Sequence, residues 1–350
     1  MGDTAIQWCD KTWNPVTGCT KVSPGCAHCY AEGVAERFWA TQYPPVVDEV
    51  PFSRGRIGMK DGQVNLVPRP RQFTDVQTHK DRLLAPLSWR KPVRVFVNSM
   101  SDLFHEDVPD GFIDYVFAVM ALAPQHTFQI LTKRPERMRA YLSQHDIGLQ
   151  WLLRLNVAPE RHRDRWSYQA ADAVRWTRQG LPNVWLGVSV ENQHCADERI
   201  PLLLQTPAAV RFLSCEPLIG PVDLSAWLPI ETIGGVEMET WPSWVICGGE
   251  SGPKARPCDV AWVRSIVKQC HAAGVKVFVK QLGANAIDIA YPEHPTDAER
   301  QQWQLDGWCR VTSVAGESWT KHPRLTDRKG GEIDEWPADL RVREFPEVTR

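Results

Sequence analysis

The chain has 350 residues, of which 43% are apolar and 23% charged, the proportions of a folded globular protein and not of a disordered one. Its 40 basic and 42 acidic residues leave a formal charge of −2, which excludes a global field drawing the chain to nucleic acid or a membrane surface. Arginine outnumbers lysine, so a local anion or nucleic-acid site stays open. The 16 tryptophans read first as core or interface filler, ahead of base-stacking platforms. No apolar run reaches the ~18 residues of a membrane span. The stretch MGDTAIQWCD lacks the basic-then-apolar order of a secretion signal. Myristoylation at Gly2 needs Ser or Thr at position 6, where Ile6 stands. The expectation is a cytoplasmic protein with no membrane partner, whose 10 cysteines serve as ligands, catalytic groups or buried thiols before disulfides.

In chain order, residues 4–18 read as a short strand running into TWNPVTGCTKVSPGCAHCY (12–30). Cys19, Cys26 and Cys29 follow one another there as C-x6-C-x2-C. Cys26 and Cys29 can chelate one centre, and Cys19 reaches the same point over a turn built from Ser23, Pro24 and Gly25. Three thiolates leave one position of a tetrahedral or cuboidal centre open, a catalytic arrangement rather than a structural one. Ala31–Ala40 predicts a helix starting at the last cysteine, and a helix N-terminus favours negative thiolates. Residues 41–92, rich in Pro, Gly and Arg, read as an insertion with at most a hairpin and a short helix near Asp81–Pro86.

From Pro92 onward short β-branched runs alternate with helical patterns. VRVFV (93–97) precedes a helix at 110–122, and TFQIL (127–131) precedes one through Tyr141. VWLGV (184–188) precedes a helix to Leu204, and AVRFL (209–213) leads into SCEP. WVIC (244–247) leads into GGESG and the helix VAWVRSIVKQCHAAG, and VKVFV (275–279) leads into KQLG. This alternation predicts βαβ units and a parallel sheet. Six such strands and the one before the cysteines suit an α/β fold of the full or partial (β/α) TIM-like barrel type over residues 1–283, with a doubly wound open sheet as the alternative. Residues 145–182 read as a polar helical insertion. Residues 284–350, with YPEHP, WPADL and REFP, have too little periodicity for a second domain and are expected to wrap the barrel.

Active sites of β/α barrels lie at the C-terminal strand ends. The polar residues closing the six runs are therefore the candidates. They are Asn98, Ser99 and Asp102; Thr132, Lys133 and Arg134; Ser189, Glu191 and Asn192; Ser214 and Glu216; Gly249, Glu250 and Ser251; Lys280 and Gln281. Loops meeting water explain any one such ending; six in succession favour function. In GGESG the glycines permit close backbone approach to a ligand and Glu250 offers an acceptor for an amine or ribose hydroxyl, although a tight turn accounts for it equally. Cys215 and Cys247, at strand ends, are candidate hydrogen-atom donors or small buried hydrophobes. Cys195, Cys258, Cys270 and Cys309 show no ligand spacing. Cys9 as a fourth ligand would convert the open centre into a closed zinc site. His28, between two ligands, reads as a supporting or surface group.

TWNPVTGCTKVSPGCAHCYA resembles the opening of the phage-borne three-cysteine-motif proteins, a group of largely unknown function. VFVNSMSDLFHE, ILTKRPERM, WLGVSVENQ, FLSCEPLIGPV, ICGGESGPKARPC, VFVKQLG and DEWPADLRVREFP continue the resemblance over nearly the whole chain. That group resembles a distant branch of the radical S-adenosylmethionine enzymes, whose usual spacing is C-x3-C-x2-C with an aromatic before the last cysteine; here His28 holds that place.

The resemblance implies a 4Fe-4S cluster on Cys19, Cys26 and Cys29 in a partial β/α barrel, with S-adenosylmethionine on the fourth iron. An external electron donor would drive cleavage to methionine and a 5′-deoxyadenosyl radical that takes hydrogen from an unknown substrate. Spore photoproduct lyases in that superfamily keep a nucleotide or DNA base, and DNA repair or modification, among the candidates. A three-cysteine-motif partner protein is a further implied partner. Under this reading Asn98, Ser99, Ser189, Glu191, Asn192, Gly249, Glu250 and Lys280 are expected to bind the cofactor. Lys133, Glu216, Cys215 and Cys247 are expected to be catalytic. The alternative from another class is a nucleic-acid-binding protein with a structural or redox-sensing iron–sulfur or zinc centre, using the Arg-rich stretch 54–71 as a backbone contact.

Overall fold

The short apolar runs form strands buried on both faces, as a parallel sheet covered by helices requires. The structure, a computed structural model, describes residues 4–51, 64–157, 159–160, 168–229, 241–290, 296–305, 309–313, 316–321, 323 and 325–347. The main sheet contains β1 (Lys11–Trp13), β2 (Arg94–Val97), β3 (Thr127–Thr132), β4 (Val184–Ser189), β5 (Val210–Cys215), β6 (Trp244–Gly248) and β7 (Lys276–Gln281). Its spatial order is the chain order, and every pairing is parallel. A doubly wound sheet reverses its strand order at a switch point. This sheet never does, and it curls into a partial β/α barrel.

The helices among the described residues include α1 (Tyr30–Gln42), α2 (Asp110–Ala121), α3 (Pro135–Leu142), α4 (Ile147–Arg154), α5 (Ala170–Gln179), α6 (Gln193–Leu204) and α7 (Val260–Ala272), with a further one at Asp297–Leu305. None of the described helices is long and apolar enough to cross a membrane.

Strand side chains alternate between two faces, and the two faces have different jobs. Val97, Ile130, Val188, Leu213, Val245 and Val277 turn outward into the core shared with the helices. Phe96, Trp185, Phe212, Trp244 and Phe278 turn inward and, with Trp8 and Cys9, form an aromatic plug on the concave side. Glycine at position 187 makes room for that plug, since a Cβ there would lie 2.5 Å from the Phe212 ring. Above the plug, towards the C-terminal strand ends, the same inward parity presents Lys133, Ser189, Ser214, Glu216 and Lys280.

The expected insertions are mostly structural. In 145–182, the Trp151 ring stacks on Phe117 with centroids 4.5 Å apart, and Trp151 and Trp176 belong to the outer core. In 41–92, Val46–Pro51 pairs antiparallel with Val64–Arg69, and short 3-10 turns occupy Lys80–Arg82 and Ala85–Ser88.

The C-terminal stretch does more than wrap. Ala286–Ala290, Cys309–Ser313 and Gly316–Lys321 join Cys258–Asp259 in a small four-stranded sheet. Further on, the Val279 and Glu344 amides donate to the Val342 and Val277 carbonyls, both at 2.9 Å, so this segment covers the free edge of β7. Phe345 then lies on Trp244 and Phe278, and the Arg94 guanidinium of β2 sits 4.1 Å from its ring centroid.

Gly187→Ala is expected to push on the Phe212 ring and cost about 1–3 kcal/mol, read as a lower urea midpoint with unchanged slope. Adding Phe212→Leu should recover part of that loss. An unshifted midpoint in the single variant would show that the ring does not fill this space.

Candidate functional site

The loop carrying the cysteines has little regular structure, a single 3-10 turn at Pro24–Cys26. Side chains from the strand ends therefore have to hold it. Four anchors do so.

The first is Glu191, fully buried just past β4. Its carboxylate accepts from Ser23 Oγ of the loop at 2.9 Å, pairs with Arg199 of α6 at 2.8 Å and faces Lys133 Nζ at 3.3 Å. Lys133 also donates to Ser189 Oγ at 2.9 Å. Gly25 lies directly on this carboxylate, where a Cβ would come within 2.3 Å of its oxygen. Burial alone would raise the Glu191 carboxyl, but Lys133 and Arg199 outweigh it and hold the group at about 2.

The second anchor is Glu250, after β6. It accepts from the Arg256 side chain at 2.7 and 3.0 Å, from the Arg256 amide at 2.9 Å, and pairs with His28 Nδ1 at 3.0 Å. Arg256 Nη1 reaches on to the Pro24 carbonyl at 2.9 Å. Burial is again overcome, here by the Arg256 and His28 hydrogen bonds, and Glu250 is held at about 2.

The third anchor is Arg134, at the start of α3. It donates to Cys19 Sγ at 3.5 Å, to Thr20 Oγ1 at 2.8 Å and to the Thr20 carbonyl at 3.2 Å. Glu106 and Asp102 brace it at 2.9 and 3.4 Å. Asp102 also accepts from Thr132 Oγ1 at 2.8 Å and the Lys133 amide at 3.0 Å.

The fourth anchor works through β2. Asn98, with φ of 61°, accepts from the Val16 amide at 3.3 Å, and the Ser99 carbonyl accepts from the Tyr30 hydroxyl. Ser99 Oγ also meets Asn14 at 3.2 Å. Gly18, at φ of 96°, passes so close to the Asp75 carbonyl that a Cβ would be 2.6 Å from its oxygen.

The three loop cysteines are half-buried, and Cys29 stands at the residue preceding α1 without a side-chain capping hydrogen bond. Burial and the nearby Asp102 push the Cys19 thiol up to about 11, against the pull of Arg134. Cys19 is therefore a neutral thiol near pH 7 that would release its proton on binding a metal. Among the described residues, no three His, Cys, Asp or Glu side chains are gathered as a single-ion site. By donor chemistry alone, three soft sulfurs in one loop are the ligands that an iron–sulfur cluster with an open position would take. Cys9 is not among them. It sits in the aromatic plug, and burial pushes its thiol up to about 12.

The expected site residues divide accordingly. Glu191 and Glu250, expected to bind the cofactor, have their oxygens committed to the loop, to Lys133 and to arginines. Asn98 and Ser99 tie down β1 and α1, and Asn192 caps α6 by accepting from the Cys195 amide at 3.0 Å. Gly249 serves close backbone packing, since a Cβ would lie 2.2 Å from the Leu282 carbonyl oxygen. Cys215 and Cys247 correct the sequence expectation most clearly. Register pairs them on adjacent strands, but on the outward parity, fully buried in the core shared with the helices. Burial drives both thiols well above their ordinary range.

Lys133, Glu216 and Lys280 remain partly open to the mouth, with Lys280 Nζ 3.3 Å from Glu216. Of the arginines in 54–71, Arg54 and Arg56 lie outside the described residues. Arg69 is paired with Asp48 and Asp75, and Arg71 is buried beneath Trp39 and Tyr43 with Thr17 as its acceptor. Sequence reasoning missed Ser23 and Arg199, and Arg256 as the partner of Glu250. Only the loop's contact with the strand ends gives them a role.

Fold and site together define a partial β/α barrel with a three-cysteine loop laid across its C-terminal strand ends. The chain belongs to the family described as Protein of unknown function (DUF5131), whose model matches residues 3–322. No curated protein and no solved structure matches the chain.

Glu191 predicts a defined acid response. Its folded carboxyl is held at about 2 against an ordinary 4.5, so its contribution is complete above about pH 4.5 and is lost as pH falls through 2. That contribution is on the order of 3 kcal/mol. Glu191→Gln is expected to lower stability at pH 7 and to flatten the decline between pH 4.5 and 2 in urea melts. Parallel curves for the two proteins would mean that Glu191 is not paired as described.

Proposed function

We propose that this protein is an iron–sulfur enzyme of the radical S-adenosylmethionine type, with Cys19, Cys26 and Cys29 as cluster ligands. The observation that carries the reading is the placement of these three thiols, without Cys9, in one anchored loop across the active-site end of a partial β/α barrel. Two positive influences meet the sulfurs, the α1 N-terminus at Cys29 and the Arg134 guanidinium at Cys19. Both favour the net negative charge of a thiolate-bound cluster. When bound, the cluster would supply the electron that splits S-adenosylmethionine into methionine and a radical able to take hydrogen from a substrate.

The protein's own part is to bind, orient and shield. Lys280 and Glu216 offer a cation and an anion side by side in the mouth, suited to the carboxylate and the amine of the methionine portion. Lys133, braced by Ser189 and Glu191, offers a second cation to a carboxylate or a substrate phosphate. The aromatic plug closes the concave side below them against water.

Anaerobic reconstitution is expected to give a brown protein with ~4 Fe per chain. Cys19→Ala, Cys26→Ala and Cys29→Ala should each lose most of that iron, and Cys9→Ala should keep it. Dithionite with S-adenosylmethionine should release 5′-deoxyadenosine from the wild type, and Lys280→Ala should weaken cofactor binding at least tenfold. A reconstituted cluster whose spectrum ignores S-adenosylmethionine and which leaves it intact would overturn the radical reading. Full iron retention in the loop-cysteine variants would overturn the cluster assignment.

A further inference from the structure

The Arg134 guanidinium is almost fully buried, and each of its nitrogens is engaged. Nε meets Glu106 at 2.9 Å, Nη1 meets Cys19 Sγ at 3.5 Å and Asp102 at 3.4 Å, and Nη2 meets Thr20 Oγ1 at 2.8 Å and the Thr20 carbonyl at 3.2 Å. A planar fork held on several sides cannot turn away from the sulfur. Thr20 is tied again from the other side by His105 Nε2 at 2.8 Å, so the residue next to Cys19 is fixed independently. Cys26 is placed differently, with Ser23 Oγ 3.8 Å from its sulfur. An N–H donor and its positive charge on a ligand sulfur stabilise whichever cluster state carries more negative charge, which is the reduced one. Glu106 opposes this effect from the solvent side, where its side chain is 62% exposed.

We infer that Arg134 is a positioning residue that sets the reduction potential of the centre through its hydrogen bond to Cys19, with Glu106 as a counterweight. The inference rests on the cluster reading above.

The experiment is a redox titration of reconstituted full-length protein, followed by the cluster's visible and electron paramagnetic resonance signals. Arg134→Gln removes the donor's charge and is expected to shift the midpoint potential downward. Glu106→Gln removes the opposing charge and is expected to shift it upward. Arg134→Lys, which keeps the charge but loses the fork, should fall between wild type and Arg134→Gln. If Arg134→Gln fails to fold, Arg134→Lys decides by itself, because a purely structural role for Arg134 would leave the midpoint of that folded variant at the wild-type value. A wild type with ~4 Fe and the same midpoint in every folded variant overturns this inference alone. A wild type that takes up no iron overturns the cluster reading and this inference with it.

Discussion

Glu191 is a carboxylate without exposed surface, balanced between Lys133 and Arg199 and facing the underside of the cysteine loop. Removing such a charge from water is expensive unless partners and hydrogen bonds replace its hydration. Here they do, and Ser23 is one of them. The loop is thus part of what satisfies the buried ion, and the ion is part of what shapes the loop. Glu250 repeats the arrangement on the other side through Arg256 and His28. A segment with little regular structure is held in this way by charged groups planted on rigid strands.

The two faces of the sheet explain why this works. The outward parity is almost entirely apolar and joins the strands to the helices, which makes the strand ends stiff platforms. The inward parity changes character along each strand, from aromatic rings low in the barrel to polar groups at the C-terminal ends. In β4, Trp185 contributes to the plug, Gly187 admits the Phe212 ring, and Ser189 accepts from Lys133. Cys215 and Cys247 stand one residue out of phase with this series. A strand has a period of two, so a single step removes their thiols from the mouth and buries them beneath helices.

Much of the fold was legible in the chain. The alternation of short β-branched runs with helical patterns specified a parallel sheet, and the helix expected at Ala31–Ala40 lies within Tyr30–Gln42. The segment 145–182 is helical as expected, and what its polar composition hid is that Trp151 and Trp176 seat it in the outer core, since a few large side chains dominate packing. The sheet formed by the C-terminal stretch was missed for a different reason. One of its four strands is Cys258–Asp259, which precedes β7 in the chain, so the sheet exists only once the tertiary fold brings separate segments together.

The sequence by itself determined the chemistry on offer. It supplied three cysteines in one loop, polar residues closing successive strands, and a strand period that puts Ser189 with Glu191 and Ser214 with Glu216 on one face each. Local spacing and period are enough for that, because both are properties of neighbouring residues. Only the tertiary structure decided which of those groups stay available. Glu191 and Glu250 look like ligands in the sequence and become anchors once Arg199, Arg256 and the loop close around them. Whether a carboxylate is free depends on what faces it across the barrel, and residues 168 and 222 positions apart in the chain make those contacts.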